Sequence, residues 1–288
     1  MKISKYVQLH FIILLWGFTP VLGKLISIDA YDLVWYRLLF SALSLYLYLR
    51  YKGLSLSISK KDLVIILATG LVVGLHWFCF YHAIKISNVS VTMAGFSSIT
   101  LFGSLFQPLL LKKKFYWTDV FYGIAISVGL IVILNFESIY FWGIVYGVIA
   151  AITAAFFGIY NGKLILKNNA VVITFYEFVG AFLFISVLKF FNHSDSYIPA
   201  LGMLDLIWLL MLSIACTTLA FTMSVDILKY FTPLTVIITN NLEPIYGIVF
   251  SIIIFGSSEY MSLGFYIGTA IILASVFTYP FISAKLKK

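Results

Sequence analysis

Residues 232–255 read TPLTVIITNNLEPIYGIVFSIIIF, an apolar stretch that is interrupted at its centre by Asn240-Asn241-Leu242-Glu243-Pro244. About 20 apolar residues cross a bilayer, whereas a carboxylate at the centre costs about 2.5–3.5 kcal/mol on insertion scales. Pro244 has no N–H, so the carbonyl of Asn240 loses its usual helical donor. The stretch predicts a broken spanning helix in which Glu243 faces a binding cavity or, alternatively, only bonds a neighbouring helix.

Composition places the whole chain in the membrane class. Hydrophobic residues make up 62% of the sequence, charged residues 10%, and the mean hydropathy is +1.05, far from soluble proteins. The net charge of +8 does not indicate nucleic acid, because the basic residues lie in short loops between apolar runs, where they set membrane topology. Cys79 and Cys216 lie within apolar runs, so we expect neither a disulfide framework nor a cysteine metal site.

Ten apolar stretches are long enough to span a bilayer, which takes about 20 residues each. Lys2 and Lys5 precede the first, as in a signal peptide, but no small-residue cleavage pattern follows, and we expect a permanent span. The ten predicted spans are Tyr6–Ile26, Tyr31–Leu49, Leu63–Ile84, Val89–Leu111, Trp117–Leu134, Tyr140–Tyr160, Val171–Phe190, Leu206–Leu228, Thr232–Phe255 and Ser262–Ile282.

The basic loops predict the orientation. With ten spans, 15 of the 19 Lys and Arg residues fall on one side, three fall on the other, and Arg37 lies inside a span. Because cytoplasmic loops are enriched in Lys and Arg, we expect both termini to be cytoplasmic, in a cell (plasma or inner) membrane.

The chain repeats itself at a nearly constant spacing. Ala30–Leu43 reads AYDLVWYRLLFSAL and Ala170–Leu183 reads AVVITFYEFVGAFL, which pairs Arg37 with Glu177. We therefore predict two five-helix halves, residues 1–137 and 138–288. Since five is odd, the second half is inverted, an architecture that lets a central site open alternately to each face.

The pattern resembles the ten-helix transporters of the drug/metabolite transporter (DMT) superfamily, in particular the EamA-type group. The resemblance covers nearly the whole chain and depends on Trp16-Gly17, Tyr36-Arg37, Asn241–Pro244, Gly256 and Glu259. It implies a secondary transporter, an exporter or exchanger of amino acids, amines or related metabolites, with a central cavity between the halves.

Two positions of the first half depart from this pattern. Such families usually carry a proline where this chain has Thr100, and a Gly-Glu turn where it has Lys113. These two departures affect what the resemblance implies about gating by the first half more than what it implies about the fold.

Three ionisable residues lie well inside predicted spans, at a combined insertion cost of roughly 8–10 kcal/mol. Arg37 is predicted to contact a substrate carboxylate or to brace the outer gate, or else to anchor its helix at the interface. Glu177 lies near the inner leaflet, where it could pair with Lys163 or Lys167. Glu243 is the third.

Amide and aromatic side chains complete the predicted cavity, and each has a structural alternative in helix packing or lipid contact. His76 and His82 are proton-shuttle candidates, or hydrogen-bonded core residues. The substrate-binding candidates are Arg37, Asn240, Asn241, Glu243, Trp16, Tyr36, Trp77, Tyr81, Tyr160 and Asn161. The proton-coupling candidates are Glu243, Glu177, His76 and His82, and the helix-break candidates are Pro20 and Pro244.

Other functions stay open beside this hypothesis. A sugar-phosphate or nucleotide-sugar antiporter of the same superfamily would need several intramembrane cations, and a non-transport membrane scaffold would need no cavity. The sequence contains no HExxH pair or phosphate-cradling loop, so we expect no enzyme, catalytic residue, metal or cofactor. The expected partners are a small-molecule substrate and membrane lipids, with protons or a counter-transported substrate as coupling candidates, but not nucleic acid. The oligomeric state is open.

Overall fold

Helices account for all the regular structure of the chain in residues 4–112, 117–192 and 200–286, which are the residues that the computed structural model describes. No strand is present in these ranges. The α-helices are α1 (Lys5–Gly17), α2 (Thr19–Leu25), α3 (Ala30–Lys52), α4 (Lys60–Ile86), α5 (Val89–Phe96), α6 (Ile99–Leu111), α7 (Trp117–Phe136), α8 (Phe141–Leu164), α9 (Ala170–Asn192), α10 (Met203–Met211), α11 (Ala220–Ile227), α12 (Pro233–Thr239), α13 (Leu242–Phe255) and α14 (Leu263–Leu286).

Seven helical stretches of the described residues are long and apolar enough to cross a membrane. They are Lys5–Leu25, Lys60–Ile86, Val89–Leu111, Ser138–Leu164, Ala170–Asn192, Met203–Ile227 and Pro233–Glu259. Two further helices, α7 and α14, contain the apolar stretches Phe121–Phe136 and Leu263–Tyr279, and α3 carries Asp32 and Arg37 in its first half. The helices indicate an integral multi-pass membrane protein, but they do not establish ten spans.

Three of these stretches are broken near their centres. Lys5–Leu25 is interrupted at Phe18, between α1 and α2; Val89–Leu111 at Ser97-Ser98, between α5 and α6; and Pro233–Glu259 at Asn240-Asn241, between α12 and α13. The first break precedes Pro20 in the first turn of α2, where its missing N–H costs nothing. The sequence predicted the breaks near Pro20 and Pro244 but not the break at the two serines.

The break at Asn240-Asn241 corrects one expectation. The N–H of Glu243 donates to the carbonyl of Asn240 at 2.9 Å, so this carbonyl is not free to bind a ligand. The chain closes a tight turn there, and Pro244 lies in the first turn of the new helix α13. Proline therefore starts a helix here instead of leaving an open carbonyl inside one.

The broken helices cross each other at their breaks. Helix α5 packs against α13, and α6 packs against α12. Asn241 is buried at the crossing, where its amide donates to the hydroxyl of Thr100 and, at 3.3 Å, to the carbonyl of Ile237. The two discontinuities are thus held together at the centre of the bundle.

Small residues allow the helices around this crossing to approach closely. A Cβ atom added to Gly147 of α8 would lie 2.9 Å from the carbonyl oxygen of Thr92 in α5. Gly70 of α4 packs directly on the backbone of Glu177 in α9. Cys79 and Cys216 are buried in the bundle.

Candidate functional site

A cavity opens at the centre of the bundle beside the helix crossing. The space between its walls is about 770 Å³, a figure that includes the open mouth. Its lining comes from α1 to α6, α8 and the segment from α11 to α13: Trp16, Thr19, Arg37, His76, Trp77, Phe80, Phe96, Ile99, Ala154, Phe157, Gly158, Asn161, Phe221, Ser224, Val225, Leu228, Pro233, Val236, Ile237, Asn240 and Glu243.

All three helix breaks contribute to this lining. Trp16 and Thr19 flank the first break, Phe96 and Ile99 flank the second, and Asn240 and Glu243 flank the third. A broken helix exposes side chains and backbone ends at membrane depth, which is tolerated only where protein or a water-filled cavity surrounds them. The position of the three breaks therefore determines where in the bundle the cavity lies.

Arg37 is the basic residue of the lining, and three groups fix its guanidinium. The Nε atom donates to the hydroxyl of Thr217 at 2.6 Å, and Nη1 donates to the hydroxyl of Tyr81 at 2.7 Å. The ring of Trp77 lies 4.0 Å from the guanidinium carbon, a cation–π contact. Because neutral groups hold this cation, its charge is left to interact with a ligand in the cavity.

A stretch of π-helix, Leu212–Leu219, positions the hydroxyl that holds Arg37. The wider turn changes the pairing of its carbonyl groups, and side chains bond two of them. The hydroxyl of Thr217 donates to the carbonyl of Leu212 at 2.7 Å, and that of Ser41 donates to the carbonyl of Ser213 at 3.0 Å. Such single-turn distortions are frequent at functional sites.

Glu243 and Asn240 form the acidic and amide part of the lining. No ion pair joins Glu243 to Arg37 among the described residues. The side-chain oxygens of Asn240 and Asn161 are both buried, and each lacks a hydrogen-bond partner. Since buried polar atoms are nearly always satisfied, these amide oxygens are available to a donor group in the cavity.

His76 lies on the cavity wall among aromatic rings. Its Nδ1 is 2.8 Å from the carbonyl oxygen of Ala150, and because a carbonyl only accepts, this nitrogen carries a proton. The rings of Phe80, Phe96 and Phe157 surround it.

Eight predicted residues do not line this cavity. The hydroxyl of Tyr81 accepts a hydrogen bond from Arg37 but does not reach the cavity. Tyr36 packs on Trp35 and Phe40, and Tyr160 stacks on Phe156. Asn241 is used at the helix crossing. Pro20 and Pro244 shape the breaks.

The remaining two lie outside the cavity for different reasons. His82 stacks on Phe78 and faces Tyr146 in a separate surface groove. Glu177 is fully buried between α9 and its neighbours, and the Asn161 amide donates to it at 3.3 Å. The expected pairing of Glu177 with Lys163 or Lys167 is absent from the described residues.

Several lining residues were not predicted. Phe80, Phe96, Phe157 and Phe221 give no periodic signal that separates them from lipid-facing aromatics. Ser97-Ser98 was a usable signal, since two adjacent serines at the centre of a span favour a helix break. Lys113 lies outside the described residues.

Comparison with known proteins agrees with the helical architecture. A solved structure described only as a protein crystal structure superposes with a TM-score of 0.70 over 100% of both chains at 13% identity, which supports the fold alone. No curated protein matches the chain. The sequence profile of the EamA-like transporter family matches residues 6–135 and, in a second copy, residues 141–279. The chain therefore belongs to the EamA-like transporter family and is a membrane transporter of the drug/metabolite transporter superfamily.

Proposed function

We propose that the protein is a secondary transporter, an exporter or exchanger, of small zwitterionic metabolites such as amino acids, with related amines as further substrates. The observation that carries this proposal is that Arg37 and Glu243 line one cavity without pairing with each other. A ligand with a carboxylate and an ammonium group can satisfy both residues at once.

The chemistry of the wall agrees with a small zwitterion. The guanidinium of Arg37 presents further N–H donors in a fixed fork that suits a carboxylate. The carboxylate of Glu243 and the unpartnered amide oxygens of Asn240 and Asn161 accept hydrogen bonds from an ammonium group. The aromatic rings of Trp16, Trp77 and the four phenylalanines leave an apolar volume for a side chain.

We further propose ten spans in two inverted halves, 1–137 and 138–288, that alternate access to this cavity. Supporting this, α3 and α9 are both 23 residues long and begin 140 residues apart, and the helices after the second and third breaks, α6 and α13, begin 143 residues apart. The packing of α5 on α13 and of α6 on α12 is the reciprocal arrangement that an inverted repeat requires.

The alternatives have less support. A sugar-phosphate or nucleotide-sugar antiporter needs several cations for its polyanionic substrate, and Arg37 is the single Lys or Arg on the described lining. A membrane scaffold needs no central cavity, whereas this chain has one lined by polar groups. For the orientation, the 15 basic residues on one side favour cytoplasmic termini in a plasma or inner membrane.

Counterflow in proteoliposomes tests the substrate class. Purified protein is loaded with one unlabelled compound of a panel of amino acids, amines and organic acids, and uptake of the labelled compound is followed. We expect saturable counterflow for amino acids, and Arg37→Gln abolishes it, whereas Lys229→Gln, at an exposed position of the surface, leaves it unchanged. Saturable flux confined to organic acids or phosphorylated sugars would contradict the proposed class.

Coupling to protons is tested at the carboxylate of the cavity. If Glu243 carries the coupled proton, Glu243→Gln removes the pH dependence of flux while exchange stays measurable, because glutamine keeps the shape but does not titrate. An unchanged pH profile would remove Glu243 from this role and leave Glu177, His76 and His82 as candidates.

A further inference from the structure

Acidic side chains bond neighbouring segments together at one end of the bundle. We call the end that holds residues 26–29, 86–88 and 256–262 the loop-256 end, and the end that holds residues 53–59, 165–169 and 228–232 the loop-228 end. At the loop-256 end, Asp205 accepts from the N–H of Ser27 at 2.7 Å, and Glu137 accepts from the N–H of Ser262 at 2.9 Å. Asp32 forms an ion pair with Lys189.

Glu259 is the carboxylate that joins the segment after α13 to two other segments. It follows α13 and is fully buried. Its Oε1 accepts from Lys24 Nζ at 2.7 Å, at the end of α2, and from the N–H of Val89 at 3.2 Å. Its Oε2 accepts from the N–H and the hydroxyl of Ser90 at 2.8 and 2.9 Å, at the start of α5. One carboxylate thus joins the segment that follows α13 to the end of α2 and to the start of α5.

The three segments that Glu259 joins also enclose the cavity on the side of the loop-256 end. They carry Thr19, Phe96 and Glu243, respectively. A path from the cavity to the loop-256 end requires these segments to separate, and their separation breaks the bonds of Glu259.

The loop-228 end is bonded much less strongly among the described residues. The position that corresponds to the start of α5 is the start of α12, where the N–H of Leu234 donates to the neutral amide of Gln107 at 3.2 Å. The cavity extends towards this end, since Leu228 and Pro233 belong to its lining. The segments that Glu259 joins therefore border the cavity on the side of the loop-256 end, and on the other side the cavity reaches Leu228 and Pro233.

We propose that Glu259 and Lys24, bound to the start of α5, form the latch of the outer gate, and that this structure is the inward-open state. The inference rests on the proposed function for its orientation, in which the loop-256 end faces outward. Glu259 is a gating residue, not a substrate ligand, because it lies outside the cavity lining. The ion pair with Lys24 adds a bond to α2, whereas the bonds to Val89 and Ser90 hold Glu259 against the start of α5.

Accessibility of a cysteine in the cavity tests the latch without any substrate. In a Cys79→Ala, Cys216→Ala background, Thr19→Cys reports on the cavity and a membrane-impermeant maleimide is added from outside to right-side-out vesicles. With the latch intact we expect slow labelling. Lys24→Gln and Glu259→Gln are expected to raise the labelling rate, up to about tenfold, because each removes charge-assisted bonds that only the closed gate makes.

A reporter on the inner side distinguishes gating from misfolding. Labelling of Ser224→Cys from inside-out vesicles falls in the same variants if the gate shifts outward, whereas unfolding raises labelling at both reporters. If Glu259→Gln unfolds the protein, Lys24→Gln decides, since it leaves all the bonds of Glu259 to α5 in place.

Two control variants show which change in labelling rate is due to the latch. Lys24→Arg keeps the charge and is expected to restore slow outer labelling. Lys229→Gln removes an ion pair of similar length, 2.6 Å to Asp226, at the loop-228 end, and leaves the outer rate unchanged.

Outer labelling that stays slow in Lys24→Gln, or that rises equally in Lys229→Gln, overturns the latch. The proposed substrate class is tested separately. A failed counterflow experiment does not change the labelling result, and a failed labelling experiment does not change the counterflow result.

Discussion

The hydrogen bond between Thr217 and Arg37 makes the site testable through a single hydroxyl group. Thr217→Val keeps the shape of the side chain but removes the acceptor that lies 2.6 Å from Arg37 Nε. Thr217 is fully buried and does not line the cavity, so no water takes the place of its hydroxyl. A hydrogen bond to a charged group contributes about 1.5–3 kcal/mol, which corresponds to roughly a 10- to 150-fold change in an equilibrium constant.

The same substitution also removes the donor to the carbonyl of Leu212 in the π-helix, so the loss of stability lies at the upper end of this range. The free energy of unfolding in detergent measures the stability, and the concentration of amino acid that half-saturates counterflow measures the positioning of Arg37. We expect both to worsen together.

The neighbouring threonine gives a matched control. Thr218 bonds the hydroxyl of Ser44 at 2.8 Å and the carbonyl of Ser41 at 3.4 Å. Thr218→Val therefore loses only bonds to neutral groups, which contribute about 0.5–1.5 kcal/mol each. If Thr217→Val proves no more destabilising than Thr218→Val, and half-saturation is unchanged, the guanidinium is not held as described.

Three further predictions follow from the packing around the site. Gly147→Val places a branched side chain against the backbone of α5, 2.9 Å from Thr92 by its Cβ alone, and is expected to cost about 1–3 kcal/mol; Gly158→Ala on the same helix, with 3.8 Å to Ile237, should leave the unfolding temperature nearly unchanged. Trp77→Leu removes the ring over Arg37 and is expected to weaken amino-acid counterflow by about 2- to 30-fold, from a cation–π contact of about 0.5–2 kcal/mol; equal flux would exclude that ring from the site. Asn161→Leu should lower affinity for amino acids more than for their deaminated acids, as measured by competition, because its amide oxygen is offered to an ammonium group; equal losses would contradict that role.

Much of the fold could be predicted because membrane insertion imposes strong constraints on sequence. The stretch around Glu243 predicted a broken helix, and the repeat of Ala30–Leu43 in Ala170–Leu183 matches two helices of 23 residues. The number of spans could not be established in the same way. Helix α3, for example, carries charges that lower its hydropathy, so it is not among the seven stretches that are apolar enough to span.

The site could be predicted only where a residue is costly in a membrane. Arg37, Asn161, Asn240 and Glu243 are polar groups in apolar runs, and all line the cavity. Such a cost does not distinguish a cavity residue from one satisfied elsewhere, and Asn241 and Glu177 were therefore also chosen.

The aromatic walls required the three-dimensional structure. Phenylalanines in a membrane protein occur equally against lipid and in a cavity, so their sequence positions contain no such information. The same holds for Thr217, whose role depends on a π-helix that no sequence pattern indicated.

Competition by three related compounds tests most directly whether the cavity binds both charges of a zwitterion. An amino acid, its decarboxylated amine and its deaminated acid are compared as inhibitors of labelled amino-acid counterflow. The account predicts that the amino acid inhibits most strongly and that each lost charge weakens inhibition by about tenfold or more, the equivalent of one charge-assisted hydrogen bond. Equal inhibition by the amino acid and either single-charge analogue would contradict the joint role of Arg37 and Glu243.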